Sequence, residues 1–192
     1  LKPDSDKLNI THLGTLVKSR NPVALYRAIE LLKQRDAEIK NKLVIRFVGK
    51  TDVSVKQEIS ERGLDEIVEY IEYIPHDDVP ATLMRSSLLL LVINDTPNSK
   101  GILTGKLFEY MASRRPIICL GPSDGDAAQV INDTESGAVF ENDQYLQLAD
   151  YIEKQLNVHC ESGGIEQTRG EIKKYSRSQQ ARELISLIES VS

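Results

Sequence analysis

LLLLVI, residues 88–93, is the stretch on which the fold turns. It has a strand's length, and its apolar character is continuous instead of alternating, so both faces must be covered, as at the centre of a parallel sheet. Working outward, KLVIRFVG (42–49) and RPIICL (115–120) have the same β-branched character, with further strands near Asn9 to Leu16, at EIVEYIEYI (66–74) and at GAVF (137–140). Amphipathic runs separate them. One begins at Asn21-Pro22, with Asn as cap, Pro in the first turn and an apolar stripe of Val23, Leu25, Ala28, Ile29 and Leu32. Others run from about Asp52 to Arg62, closed by Gly63, from Asp77 to Arg85, Thr104 to Ser113, Gly125 to Asn132 and Asp143 to Leu156. After ESGG (161–164), which reads as a linker, a last helix is expected from Arg177 to Val191. Strands alternating with helices predict an α/β, Rossmann-like, doubly wound parallel sheet with helices on both faces, in a single domain over residues 1–192.

Composition narrows the function classes. The chain is 40% hydrophobic and 28% charged, as soluble globular proteins are, and carries a formal net charge of -5, against the basic surface that nucleic-acid binding requires. Cys119 and Cys160 lie in unrelated contexts with no His beside them, which supports neither a disulfide framework nor a zinc site. The opening LKPDSDKLNI is no signal peptide, and no apolar run approaches a bilayer's thickness. The expectation is a cytoplasmic protein.

In a doubly wound sheet, ligands bind at the carboxyl ends of the strands. There, NSKGILTGKLFEYMAS (98–113) sets two glycines and a threonine at the start of a helix, where unpaired N–H groups and the helix dipole favour an anion. Thr104 caps, Gly105 allows close approach, and Lys106 supplies a positive charge at the end of the helix where the dipole does not favour one. Taken alone, an ordinary N-cap and a solvated lysine fit equally well. Glu109 stands among Leu107, Phe108, Tyr110, Met111 and Ala112, so it is expected to be buried and therefore paired, either with Lys106 or with the two hydroxyls of a ribose. His76 lies beside Asp77 and Asp78, and the plainer expectation for it, as for His12 and His159, is a solvated or capping role. In the DGD at 124–126 the expectation is capping by Ser123 or Asp124, with no metal.

These residues resemble the retaining GT-B glycosyltransferases, whose carboxy-terminal domain carries a Glu, seven residues and a second Glu at this place. The resemblance spans nearly the whole chain. It implies that Glu109 meets the donor ribose and that the amides of Leu103, Thr104 and Gly105 meet the diphosphate. The first Glu, which faces the transferred sugar in the family, is Gly101 here. GKLFEYMASRRPI (105–117) is similar to a subgroup of bacterial polysaccharide-assembly transferases that lack it. A second landmark, Gly-Arg followed by Lys, is matched in GTLVKSRNP (14–22) by Gly14 and by Arg20 in the lysine's place, while Thr15 replaces the Arg and Lys106 offers a substitute cation. On spacing alone Arg20 reads as a surface arginine before a helix. By the same resemblance YIPHDDV (73–79) forms the base pocket, through Ile74, Pro75 and His76.

The resemblance implies transfer of a sugar from a UDP- or GDP-linked donor to a hydroxyl acceptor with retention, without a cofactor, in bacterial cell-surface polysaccharide assembly. It places acceptor binding in an amino-terminal domain that this chain, starting at Leu1, is expected to lack, along with any peripheral membrane association. No catalytic residue is expected in the chain, which is expected to be inactive alone. The apolar positions Ala181, Leu184, Ile185, Leu187 and Ile188 of the last helix are expected to be partly uncovered without that domain. The alternatives are a sugar-nucleotide epimerase of the same architecture and a non-catalytic nucleotide-binding or interaction module. A dinucleotide-dependent oxidoreductase is set aside because no G-x-G-x-x-G follows the first strand.

Overall fold

In the computed structural model, which describes residues 6–94, 96–162, 172 and 175, strands and helices alternate along the chain. They are β1 (Leu8–Leu13), α1 (Val23–Arg35), α2 (Ile39–Lys42), β2 (Leu43–Val48), α3 (Val53–Glu61), β3 (Val68–Ile71), α4 (Val79–Arg85), β4 (Leu88–Val92), α5 (Gly105–Ser113), β5 (Ile117–Leu120), α6 (Asp126–Asp133), β6 (Gly137–Phe140) and α7 (Tyr145–Ser162). The strands form one sheet in the order β3-β2-β1-β4-β5-β6, with every pairing parallel. This is the expected Rossmann-like α/β fold.

β4 is buried along its whole length, and its side chains alternate between two cores. Leu88, Leu90 and Val92 join the core built with Leu25 and Ile29 of α1, Val55 and Ile59 of α3 and Leu148 and Ile152 of α7. Leu89 and Leu91 join the opposite one, with Leu83 of α4, Leu107, Tyr110 and Met111 of α5 and Val130 and Ile131 of α6. A layer of helices on each face explains why a strand with no polar residue is stable here. Each fully covered leucine contributes about 2 kcal/mol by leaving water.

The sheet's order reverses between β1 and β4, and there the two strands part. Their registered pairs are Ile10–Leu88 and Thr11–Leu89. Beyond them side chains take over the pairing: the Leu13 N–H donates to the Tyr110 hydroxyl at 2.9 Å, and the Leu90 carbonyl accepts from Nδ1 of His12 at 3.0 Å. A parting of this kind leaves a crevice at the carboxyl ends of the strands, where open α/β sheets bind ligands.

Several local expectations are corrected. β1 ends at Leu13 instead of Leu16, because Gly14 turns the chain at φ +109°. β3 stops at Ile71, short of Ile74, since it is an edge strand paired only with β2 and its residues beyond Val68 are largely uncovered. Pro22, not Asn21, is the N-cap of α1, and the Asn21 amide donates instead to Glu58. Gly125 caps α6 without a side chain, because Ser123 donates its hydroxyl to Glu141 at 2.5 Å and Asp124 pairs with Lys100. α7 continues through Glu161 and Ser162 of the expected linker, since its buried stripe of Leu148, Ile152, Leu156 and His159 persists to that point. His159 is thus buried, not solvated, and its Nε2 lies 3.1 Å from the Asp6 carbonyl, joining the end of α7 to the segment entering β1. The expected helix at 177–191, with Ala181, Leu184, Ile185, Leu187 and Ile188, lies outside the described residues.

Candidate functional site

Two loops meet at the parting of β1 and β4: the one after β1, carrying Gly14 and Arg20, and the one that ends in α5. Thr104 is the N-cap of α5, in extended conformation, and its hydroxyl accepts from the Leu107 N–H at 3.4 Å. Gly105 is exposed at the first helical position, and Leu103 is 46% exposed. The backbone here is open to solvent, with the amides of the first turn ahead of the helix.

Lys106 does not stand in solvent. Its side chain is half-buried and reaches back over the β1 loop, so that Nζ lies 2.8 Å from the point where a side chain on Gly14 would begin. Burial and then the nearby charge of Arg20 lower its pKa. It has neither a hydrogen-bond nor an ion-pair partner among the described residues, and the same holds for the buried Nε of Arg20, whose side chain is half-buried. Two cations held close together and incompletely paired, at the start of a helix, form a site suited to an anion.

His12 lies beneath this pair and is fully buried, which corrects its expected solvated role. Leu8 and Ile10 on the same strand are buried in the α1 core, and this two-residue period was the signal for His12. Since a carbonyl only accepts, Nδ1 of His12 carries the proton that bonds Leu90, and Nε2 is left buried without a partner among the described residues. Burial first, then the charge of Lys106, push its pKa down to about 4, with Arg20 adding to them, so at neutral pH the ring is uncharged.

Glu109 is exposed, contrary to expectation. α5 turns Leu107, Tyr110 and Met111 inward, and at about 100° per residue the position between them falls on the outer face. It forms no ion pair with Lys106 among the described residues. Instead it lines an apolar groove of about 250 Å³ between α4 and α5, together with His76, Val79, Leu83, Met84 and Ser113. The structure therefore brings His76 and Glu109 together, although Ile74 and Pro75 do not line the groove. On the far side of the α5 loop, a second cavity of about 590 Å³ opens at the carboxyl ends of β4, β5 and β6, lined by Asn94, Lys100, Ser123, Asp124, Glu141 and Asp143 among others. Gly14, Arg20 and Lys106 line neither. Along the chain, the helix start at 104–106 falls between Lys100 of the one and Glu109 of the other. Among the described residues no three His, Cys, Asp or Glu side chains cluster as a metal site would require.

The family model of the glycosyl transferases group 1 matches residues 1–179. The fold is similar to the C-terminal domain of a glycosyl transferase group 1 family protein, LpcC, from Francisella tularensis, at 18% identity and a TM-score of 0.56 over 78% of this chain and 75% of that one. It is similar to a TarM mutant from S. aureus, solved with fondaparinux, alpha-GlcNAc-glycerol and UDP, at 20% identity and a TM-score of 0.58 over 82% and 30%. It is also similar to WaaG, a glycosyltransferase involved in lipopolysaccharide biosynthesis, at 19% and 0.60 over 80% and 39%. The chain thus spans about a third of the length of TarM and WaaG. No curated protein matches the sequence.

Proposed function

The chain belongs to the glycosyl transferases group 1 family, and from that premise we propose that it is the donor-binding domain of a retaining glycosyltransferase, holding a nucleoside-diphosphate sugar for transfer to a hydroxyl acceptor. One observation carries this reading: Arg20 and Lys106, together with the amides of the α5 start, converge where β1 and β4 part. A diphosphate there neutralises both cations and accepts from the free amides, and the same groups stabilise the charge that grows on the leaving diphosphate during transfer. No metal or cofactor is needed for that task.

The nucleoside occupies the groove between α4 and α5. Glu109 is open to solvent there, and its two oxygens can accept from the two ribose hydroxyls, while Val79, Leu83 and Met84 offer an apolar wall to the base near His76. The acceptor and the groups acting on it belong to a part of the enzyme outside these 192 residues, a view supported by the share of TarM and WaaG that the chain spans. The lipopolysaccharide role of WaaG favours a bacterial cell-surface polysaccharide as product.

Calorimetric titration with UDP, GDP and ADP tests the reading. Wild type should prefer one diphosphate, and Lys106→Met should weaken it about tenfold, as the loss of one charge-assisted contact to phosphate implies. No heat with any of the three at millimolar concentration overturns it in favour of a non-catalytic interaction module.

A further inference from the structure

Arg20 is presented by a short turn whose own side chains do little to hold it. The 3-10 turn Lys18–Arg20 is closed by the Arg20 N–H on the Val17 carbonyl at 2.9 Å and the Asn21 N–H on the Lys18 carbonyl at 3.3 Å. The side chains of Lys18, Ser19 and Arg20 make no hydrogen bond or ion pair among the described residues. Its orientation is therefore set at its two ends. At the near end, the Leu16 N–H donates to the Lys50 carbonyl and the Asp52 N–H to the Leu16 carbonyl, both at 2.9 Å, so the chain up to Leu16 is fastened to the loop that leads into α3.

At the far end the fastening is a side chain. The amide of Asn21, the residue directly after Arg20, donates to Oε2 of Glu58 on α3. The other oxygen of Glu58, Oε1, accepts from Nε and Nη2 of Arg62 at 3.1 and 2.9 Å, and Nη1 of Arg62 reaches Glu30 of α1 at 3.0 Å. Both oxygens of Glu58 are thus engaged, and the carboxylate is fixed from behind by a guanidinium that spans α1 and α3. The three charged side chains are 26–33% exposed, which shields the network from the screening that makes surface pairs weak. Two carboxylates against one guanidinium leave it net negative beside the Arg20 turn.

Resting on the donor-binding reading above, we propose that Glu58 is a positioning residue of the diphosphate site: through Asn21 it fixes the turn that aims Arg20 at the ligand. An arginine on a short turn contributes its full contact to phosphate only in one arrangement of that turn. When the link is cut, the buried Pro22 still leads the chain into α1, so the turn persists and only the aim of Arg20 loosens. Charge alone gives the opposite sign. A carboxylate near a bound diphosphate repels it, so a purely electrostatic Glu58 weakens binding and its removal tightens it. Removal of a positioning residue loosens binding.

Calorimetric titration with the tightest of UDP, GDP and ADP separates these signs. Asn21→Ala and Glu58→Ala should each weaken binding about fivefold, less than the loss of a cation outright. Glu58→Gln should stay within about twofold of wild type although its charge is gone, because its amide can still join Asn21, which both donates and accepts. In an Arg20→Met background Asn21→Ala should have no further effect, whereas in a Lys106→Met background its effect should persist. Asn21→Ala leaves the Arg62 pairs intact, so it carries the comparison even if Glu58→Ala fails to fold. Asn21→Ala that binds as wild type does, Glu58→Ala that binds tighter, or a loss that persists in full without Arg20 overturns this inference alone. Wild type that binds none of the three diphosphates overturns the donor reading and this inference with it.

Discussion

The ammonium of Lys106 lies 2.8 Å from the position that the first side-chain atom of any residue other than glycine would take at position 14. Gly14 is also at φ +109°, where side chains are strained. Position 14 thus has two reasons to be glycine, one from the backbone and one from the site.

Gly14→Ala is expected to lose about 1–2 kcal/mol of stability through backbone strain, and to displace Lys106 as well. Urea unfolding measures the first effect, and titration with inorganic pyrophosphate the second. Stability that falls while pyrophosphate affinity holds would separate the turn from the anion site and remove Gly14 from it.

His12 makes stability depend on pH in a stated direction. Its folded pKa, about 4, lies below the ordinary 6.5, chiefly through burial, so the unfolded chain takes up a proton that the folded chain refuses. The stability linked to it is fully present above the unfolded pKa and is lost as pH falls toward the folded one, which amounts to about 2 kcal/mol between about pH 7.5 and about pH 5. His12→Leu should be less stable at neutral pH, because the Leu90 carbonyl loses a donor, but should show a flatter loss on acidification. Parallel pH profiles for the two proteins would refute this assignment.

Glu109→Ala is expected to remove discrimination for the ribose. Wild type should prefer the matching nucleoside diphosphate to its 2′,3′-dideoxy analogue by about tenfold, the scale of hydrogen bonds to a carboxylate, and the variant should bind the two alike. Melting temperatures of the two proteins should coincide, because the side chain is exposed and without an ion-pair partner among the described residues. A preference that survives in the variant would mean that another group reads the ribose.

The fold was legible because burial leaves a mark on composition. LLLLVI has no polar residue, and only a strand covered on both faces tolerates that. The cations were partly legible, since Lys106 stands at the wrong end of a helix and Arg20 in a motif's place, but their meeting over Gly14 joins residues far apart in the chain. Glu109 was misjudged because its neighbours were counted rather than placed around the helix: Phe108 and Ala112 do not turn fully inward, and neither does Glu109. The Lys100–Asp124 pair left no local signal at all, being made by two loops that only the strand order brings together. Asp124 was assigned to capping for the same reason, because its partner stands 24 positions away.

The bond from His159 to the Asp6 carbonyl brings the end of α7 beside the entry to β1 at the amino edge of the sheet, while beyond α7 the Tyr175 ring lies against Phe108 of α5. β1 separates that edge from Gly14 by six residues, or roughly 20 Å of extended chain. A tether applied at the entry to β1 would be borne by the seam between that segment and α7. The domain could be hung from a surface, a fluorophore or another protein at that edge, while the loops proposed to hold the diphosphate, at the opposite edge, stay free.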